Sequence, residues 1–293
     1  LSGELVALVS ALLWAVASVL LTVGARRLHV LPLNLVRCVV SSVFFLALLP
    51  FFGGFEALAA IAPASWLWLV VSVAMLLVVG DTLYFLSMEL AGVSWAMPVA
   101  SINPLWAVLL ASVFLDEPLS WSLLGGALLV VAGIVLVSRT ADHRTAGNPG
   151  NRSVRRRGLL LALATSVLWA IGQISLKPAT AGIDSVVANS VRQPIGALAL
   201  LGLSLIQGRW RELGGLDARS WGVIVLASLI GTGMGSLLFV LSIQLIGAGR
   251  TAVLTSTAPL LAIPFSMLWL QERPTRWTLA GTLLTAAGIA LVA

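Results

Sequence analysis

Charge is what this sequence has least of. Aspartate, glutamate, lysine and arginine make up 10% of its 293 residues, against about 25% in an ordinary soluble domain. A chain that is also 59% hydrophobic, with a mean hydropathy of +1.06, has lipid as its main solvent. Cys38 is the single cysteine, which excludes an internal disulfide. The two histidines, His29 and His143, lie in loops, and no cluster has metal-ligand spacing. No G-x-x-x-x-G-K-[ST] loop is present, so this chain does not hydrolyse ATP. Hydrolysis inside a membrane needs a nucleophile–base pair or a metal. No apolar run contains histidine, and no two carboxylates share a helix face at depth, so an enzyme is not the expectation. No cofactor is called for either. The net charge of +6 comes from loop arginines beside apolar runs, which membrane topology explains better than nucleic acid does.

What is present is a series of apolar runs of about 20 residues, the length of a helix crossing roughly 30 Å of hydrocarbon. They are continuous, without the short alternating segments of a barrel, and therefore predict helices. Ten spans are expected, at about 5–24, 32–51, 66–88, 95–115, 121–138, 159–177, 186–206, 221–244, 251–270 and 276–292. One long polar stretch, RTADHRTAGNPGNRSVRRR (139–157), interrupts them.

The phrase SALLWAVAS (10–18) returns as TSVLWAIGQ (165–173). Shifting the chain by 155 positions aligns 3–138 with 158–293 without a gap, giving 39 identities in 136 pairs. The rarer residue types carry the argument: Trp14/Trp169, Asn34/Asn189, Arg37/Arg192, Gly80/Gly235, Pro104/Pro259, Glu117/Glu272, Gly126/Gly281 and Gly133/Gly288. The expected organisation is a first five-helix repeat (3–138), a basic linker (139–157) and a second five-helix repeat (158–293). Five is odd, so the second repeat enters from the opposite face. The fold expected is all-α, ten transmembrane helices in two inverted repeats, with a substrate site at mid-membrane between them. The first span is read as a helix rather than a cleaved leader, because its partner at Thr165 cannot be a leader.

Positions i, i+3, i+4 and i+7 share a helix face. Ser10, Trp14, Ala17 and Ser18 form one such face, and Thr165, Trp169, Gly172 and Gln173 its counterpart. Small and polar residues also serve helix packing, but Gln173 at mid-helix needs a partner or water, which favours a cavity wall. The third and eighth spans offer Gly80, Asp81, Tyr84 and Gly235, Ser236, Phe239. Asp81 is the one carboxylate well inside a span, where a charge is costly and marks a functional site. It suits a substrate ammonium or a coupling proton; the structural alternative is an ion pair with Arg37. Arg37 and Arg192 are read as snorkelling to the headgroups. The fourth and ninth spans give Ser101, Asn103 and Ser256 as polar anchors. Pro104 and Pro259 free backbone carbonyls and serve as kinks, with Gly80 and Gly235 as gating positions. Glu117 and Glu272 are read as turn or cap residues, and the seven-residue pairs Gly126/Gly133 and Gly281/Gly288 as close helix contacts in scaffold.

Three groups of motifs carry a family resemblance: the two LWA phrases; INPLWAVLLASVFLDEPLS and TAPLLAIPFSMLWLQERPT; and the glycine-spaced LLGGALLVVAGIVLV and LAGTLLTAAGIALV. Together they make the chain resemble the drug/metabolite transporter superfamily, specifically its ten-helix EamA branch, over nearly its whole length. YddG-like amino-acid exporters are the nearest analogy. The resemblance implies that the second and seventh spans lie outside the central ring. It also implies export of small polar metabolites, amino acids including aromatic ones, by alternating access. Small multidrug exporters resemble each half but carry a glutamate in the first helix, where this chain has Ser10 and Ser18. Phosphorylated-sugar carriers need cationic anchors, and the cavity faces chosen here carry none. A lipid flippase or multidrug exporter is the alternative.

The expected substrate-binding residues are thus Trp14, Ser18, Asp81, Tyr84, Ser101, Asn103, Trp169, Gln173, Ser236, Phe239 and Ser256. The expected partners are a small-molecule substrate, the bilayer and coupling protons, with no nucleic acid and a monomeric state. Loops 26–31, 89–94, 139–157, 207–220 and 271–276 hold 13 of the 17 Lys+Arg. The positive-inside rule puts them in the cytoplasm and both chain ends outside, whereas many relatives are expected to have both ends inside. The expected location is the cytoplasmic membrane of a bacterium.

Overall fold

The computed structural model describes residues 2–24, 28–138, 152–270 and 276–292. Glu272 and most of the basic stretch lie outside them. Among the described residues the secondary structure is helical, without strands. Seven helices among the described residues are long and apolar enough to cross a membrane. We number the main helices α1 (Gly3–Gly24), α2 (Val30–Leu48), α3 (Pro63–Ala91), α4 (Trp95–Phe114), α5 (Trp121–Ser138), α6 (Arg152–Ala179), α7 (Ser185–Ile206), α8 (Ala218–Ile246), α9 (Ala248–Thr255), α10 (Ala258–Leu270) and α11 (Arg276–Val292). Helix α6 starts seven residues ahead of the expected 159, so the arginines from 152 to 157 continue a helix rather than a linker.

The helices are built small side in, large side out. Along α1, Ala7, Ser10, Ala11 and Ala15 are buried while Leu5 and Leu12 are exposed. Along α6, Ala162, Thr165, Ser166 and Ala170 are buried while Leu160 and Leu163 are exposed. Small residues let backbones approach, and the leucines that would form a core in water face outward. Further outward-facing side chains include Val43, Phe51, Phe55, Leu198, Ile206 and Leu283. That much apolar surface suits lipid contact. Trp66, Trp68, Trp95, Trp121, Trp210 and Trp277, at or near helix ends, are also exposed, as expected for aromatic anchors at a membrane interface. The protein is a multi-pass membrane protein.

Two packing devices position the site. Helices α5 and α11 cross on their glycines. A Cβ on Gly133 would fall 2.6 Å from the Gly281 carbonyl oxygen, and one on Gly126 would fall 2.7 Å from that of Gly288; a Cβ on Gly281 or Gly288 would meet the carbonyl of Gly133 or Gly126 at the same distances. The close-contact reading of these glycines holds. The second device is a π-helical turn in each of α3 and α8, at Ala74–Gly80 and Leu229–Gly235, 155 positions apart. Such turns widen the helix and often occur at functional sites.

Glu117 is a cap, though not of its own turn. Its Oε1 accepts from the Ala248 amide (2.8 Å) and Lys177 Nζ (2.8 Å), and its Oε2 accepts from the Gly249 amide (3.0 Å). The carboxylate thus closes the N-terminus of α9, where backbone donors lack intrahelical partners. Gly247 precedes that helix at φ 86°, and a Cβ there would run into Glu117. Elsewhere, Glu212 accepts from the His29 amide (2.8 Å) and Arg209 (3.0 Å). The bond from His29, ahead of that from Arg209, holds its carboxyl below the usual glutamate range.

Candidate functional site

Trp14 on α1 and Trp169 on α6 each reach into the other repeat. Trp14 Nε1 donates to the Gly231 carbonyl (3.0 Å), and Ser10 Oγ donates to that of Gly235 (2.8 Å). Trp169 Nε1 donates to Asp81 Oδ1 (3.1 Å), and Thr165 Oγ1 reaches the Gly80 carbonyl (3.5 Å). Gly80 and Gly235 permit the approach. A Cβ on either would sit 2.7 Å from Cδ1 of the facing indole. Trp14 packs on Phe239 with centroids 5.1 Å apart, and Trp169 on Tyr84 at 5.0 Å.

Between these pairs lies a cavity of about 340 Å³, within the usual range of small-molecule sites. Its wall contains Trp14, Asp81, Tyr84, Ser101, Asn103, Pro104, Trp169, Gln173, Ser236, Phe239, Ser256 and Pro259. The helix-face reading therefore assembles one surface from α1, α3, α4, α6, α8 and the α9–α10 junction. Gly80 and Gly235 stand behind the indoles rather than on the wall. Both helix breaks at the prolines border the cavity: α4 is interrupted at Ser101–Ile102, and α9 and α10 are parted at Ser256–Thr257. The hydroxyls of Ser101 and Ser256 donate to carbonyls of their own helices, Met97 (2.8 Å) and Val253 (2.7 Å). Asn103 and Gln173 form a polar chain. Gln173 Nε2 donates to Asn103 Oδ1 (3.3 Å), and Asn103 Nδ2 to the Ser166 carbonyl (3.3 Å). Gln173 Oε1 is buried with no hydrogen-bond partner among the described residues.

Three expectations and one alternative need correction. Ser18 is exposed and bonded to the Ala15 carbonyl (2.8 Å). Its counterpart Gln173 is on the wall. Asp81 makes no ion pair with Arg37. Asn34 stands between them, accepting from Arg37 Nη1 (2.8 Å) and donating to Asp81 Oδ2 (3.3 Å). Ile134 of α5, a helix read as scaffold alone, lines the cavity. Arg192 does not snorkel. It is 3% exposed and lines the cavity, donating from Nε to Ser72 Oγ (3.1 Å) and from Nη1 to Asn189 Oδ1 (3.0 Å). The cavity therefore holds the cationic group that the helix-face reading denied it. The signal was its depth, seven residues after the start of α7, or about 10 Å along the axis.

A helical membrane protein with an aromatic-walled cavity between two sequence-related halves has the build of a solute transporter. The comparisons agree. The model of the EamA-like transporter family matches residues 1–139 and again 156–293. An uncharacterized transporter of Archaeoglobus fulgidus is 27% identical over 98% of this chain and 96% of its own. The uncharacterized transporter YvbV of Bacillus subtilis is 31% identical over 68% of this chain and 67% of its own. Mouse solute carrier family 35 member G1 is 23% identical over 69% and 55%. A crystal structure shares the fold at a TM-score of 0.77, with 20% identity over 99% of this chain and 95% of that one. The chain belongs to the EamA-like transporter family, and these relatives carry the name of transporters.

Proposed function

We propose that this transporter exports small polar metabolites, amino acids including aromatic ones, by alternating access. It is secondary-active or facilitative, works as a monomer and resides in the cytoplasmic membrane of a bacterium. Ten helices form two inverted five-helix repeats that rock about a mid-membrane cavity. One observation carries this reading: the cavity wall is made of residues 155 apart in sequence, Trp14 with Trp169, Tyr84 with Phe239, Asp81 with Ser236, Ser101 with Ser256 and Pro104 with Pro259. A site shared between two repeats is what rocking would open alternately to each face. Aromatic faces suit an apolar side chain, and Asp81 suits a substrate ammonium or a coupling proton. The charge distribution supports a cytoplasmic linker and external chain ends. Lys177 and Arg250, the two basic residues of the opposite face, each have a carboxylate partner, Glu117 at 2.8 Å and Glu4 at 3.8 Å.

Counterflow in proteoliposomes tests the reading. Preloaded amino acids should exchange saturably, and Asp81→Asn should cut exchange by roughly tenfold or more, the loss of one charge-assisted contact. Exchange unchanged in the variant would demote Asp81 to structure. If folded protein exchanges no solute, a lipid substrate becomes the better reading.

A further inference from the structure

The repeat is not symmetric in charge. In the first half an arginine, an asparagine and a carboxylate follow one another: Arg37 to Asn34 to Asp81. The second half repeats the first two members, with Arg192 Nη1 donating to Asn189 Oδ1. Where the carboxylate should follow, the chain has Ser236, and Asn189 Nδ2 donates instead to two backbone carbonyls, those of Ser185 (2.9 Å) and Ser236 (3.4 Å). Arg192 is therefore a buried cation held by two neutral oxygens, Ser72 Oγ and Asn189 Oδ1. Among the described residues it takes part in no ion pair. A guanidinium has five N–H donors, so among the described residues three are left on a side chain that lines the cavity. A buried charge without a counter-charge is costly. A bound anion would supply what the serine has removed.

We propose that Arg192 is the carboxylate anchor of the transport site. The planar fork of its guanidinium receives the substrate's carboxylate, while the substrate's side chain lies among Trp14, Trp169 and Phe239. Asn189 and Ser72 hold the fork in place and are positioning residues. The anchor rests on the cavity being the transport site, but it does not require that the cargo be an amino acid. It also removes the reason for setting phosphorylated solutes aside, so phosphate is the anion to test against carboxylate.

The test is direct binding to the purified full chain by calorimetry, with four probes sharing one ring: phenylalanine, 3-phenylpropionate, phenethylamine and phenyl phosphate. Phenylalanine and 3-phenylpropionate should bind at least about tenfold more tightly than phenethylamine, the margin of one charge-assisted contact. Arg192→Gln should erase that preference, and Arg192→Lys should restore part of it. Should Arg192→Gln fail to fold, the wild-type preference and the lysine variant decide. Phenethylamine binding as well as the carboxylates, or a preference that survives Arg192→Gln, overturns the anchor even if amino acids exchange in vesicles. Tighter binding of phenyl phosphate than of 3-phenylpropionate overturns the carboxylate in favour of a phosphorylated cargo. Arg192-dependent carboxylate binding without amino-acid counterflow keeps the anchor and defeats the amino-acid reading. No binding of any probe to folded wild type defeats both.

Discussion

Trp14 and Trp169 occupy equivalent positions, yet their indole N–H groups meet different acceptors. Trp14 bonds a neutral carbonyl at Gly231, and Trp169 bonds the Asp81 carboxylate. One substitution within an otherwise repeated frame thus makes one side of the cavity anionic. The polar residues on the two ring-bearing helices differ in the same way. Ser18 faces away from the cavity, while Gln173 lines it, its Oε1 buried and without a hydrogen-bond partner among the described residues. Ser18→Ala should therefore leave transport within about twofold of wild type, since an exposed hydroxyl bonded to its own helix contributes little. Gln173→Ala removes a cavity-lining side chain and the donor to Asn103, and should raise the half-saturation concentration by about tenfold. Concentration-dependent counterflow on both variants checks the contrast. Equal behaviour of the two would mean that Gln173 does not touch substrate.

At the scale of the helix, close contact is achieved by removing side chains. The α5–α11 crossing brings Gly133 against Gly281 and Gly126 against Gly288. Gly133→Ala adds helix propensity worth about 1 kcal/mol. Overpacking against the Gly281 backbone costs about 1–3 kcal/mol. Destabilisation is the expected sign, seen as a lower unfolding midpoint in detergent. Gly125 is the internal control: a Cβ there meets nothing within 4 Å, so Gly125→Ala should be neutral or slightly stabilising. A drop at Gly125 equal to that at Gly133 would show that flexibility, not close contact, is what those glycines supply. The π turns of α3 and α8 are the opposite device. They widen the helix where an indole of the facing repeat must fit.

For the whole molecule, the two halves are joined by reciprocal grips. Each Trp helix donates to the π turn of the other half, and Glu117 of the first half caps α9 of the second while pairing with Lys177. The orientation expected from charge can be tested, and the sequence supplies its own probe. Cys38 is the sole cysteine and is buried, so a cysteine introduced at Asn148 would report alone. An impermeant maleimide should label Asn148→Cys from the cytoplasmic side, in inverted vesicles and not in intact cells. The reverse pattern would put the linker outside and reject the charge-based orientation.

Much of this was legible in the residues. Low charge and long apolar runs dictate helices in lipid, because only a helix satisfies its own backbone there. The 155-residue repeat and the i, i+4 spacing of Ser10, Trp14 and Ser18 pointed to paired cavity walls, and most of the residues so chosen do line one surface. What periodicity could not decide is what a neighbouring helix brings. It placed Ser18 on a shared face but could not know that its hydroxyl turns to the Ala15 carbonyl. It paired Arg192 with Arg37 and sent both to the headgroups. Only the packing of α7 against Ser72 of α3 holds Arg192 inside. Helical spacing is a property of one element, whereas the partner of a buried charge belongs to two, and tertiary structure alone supplies the second.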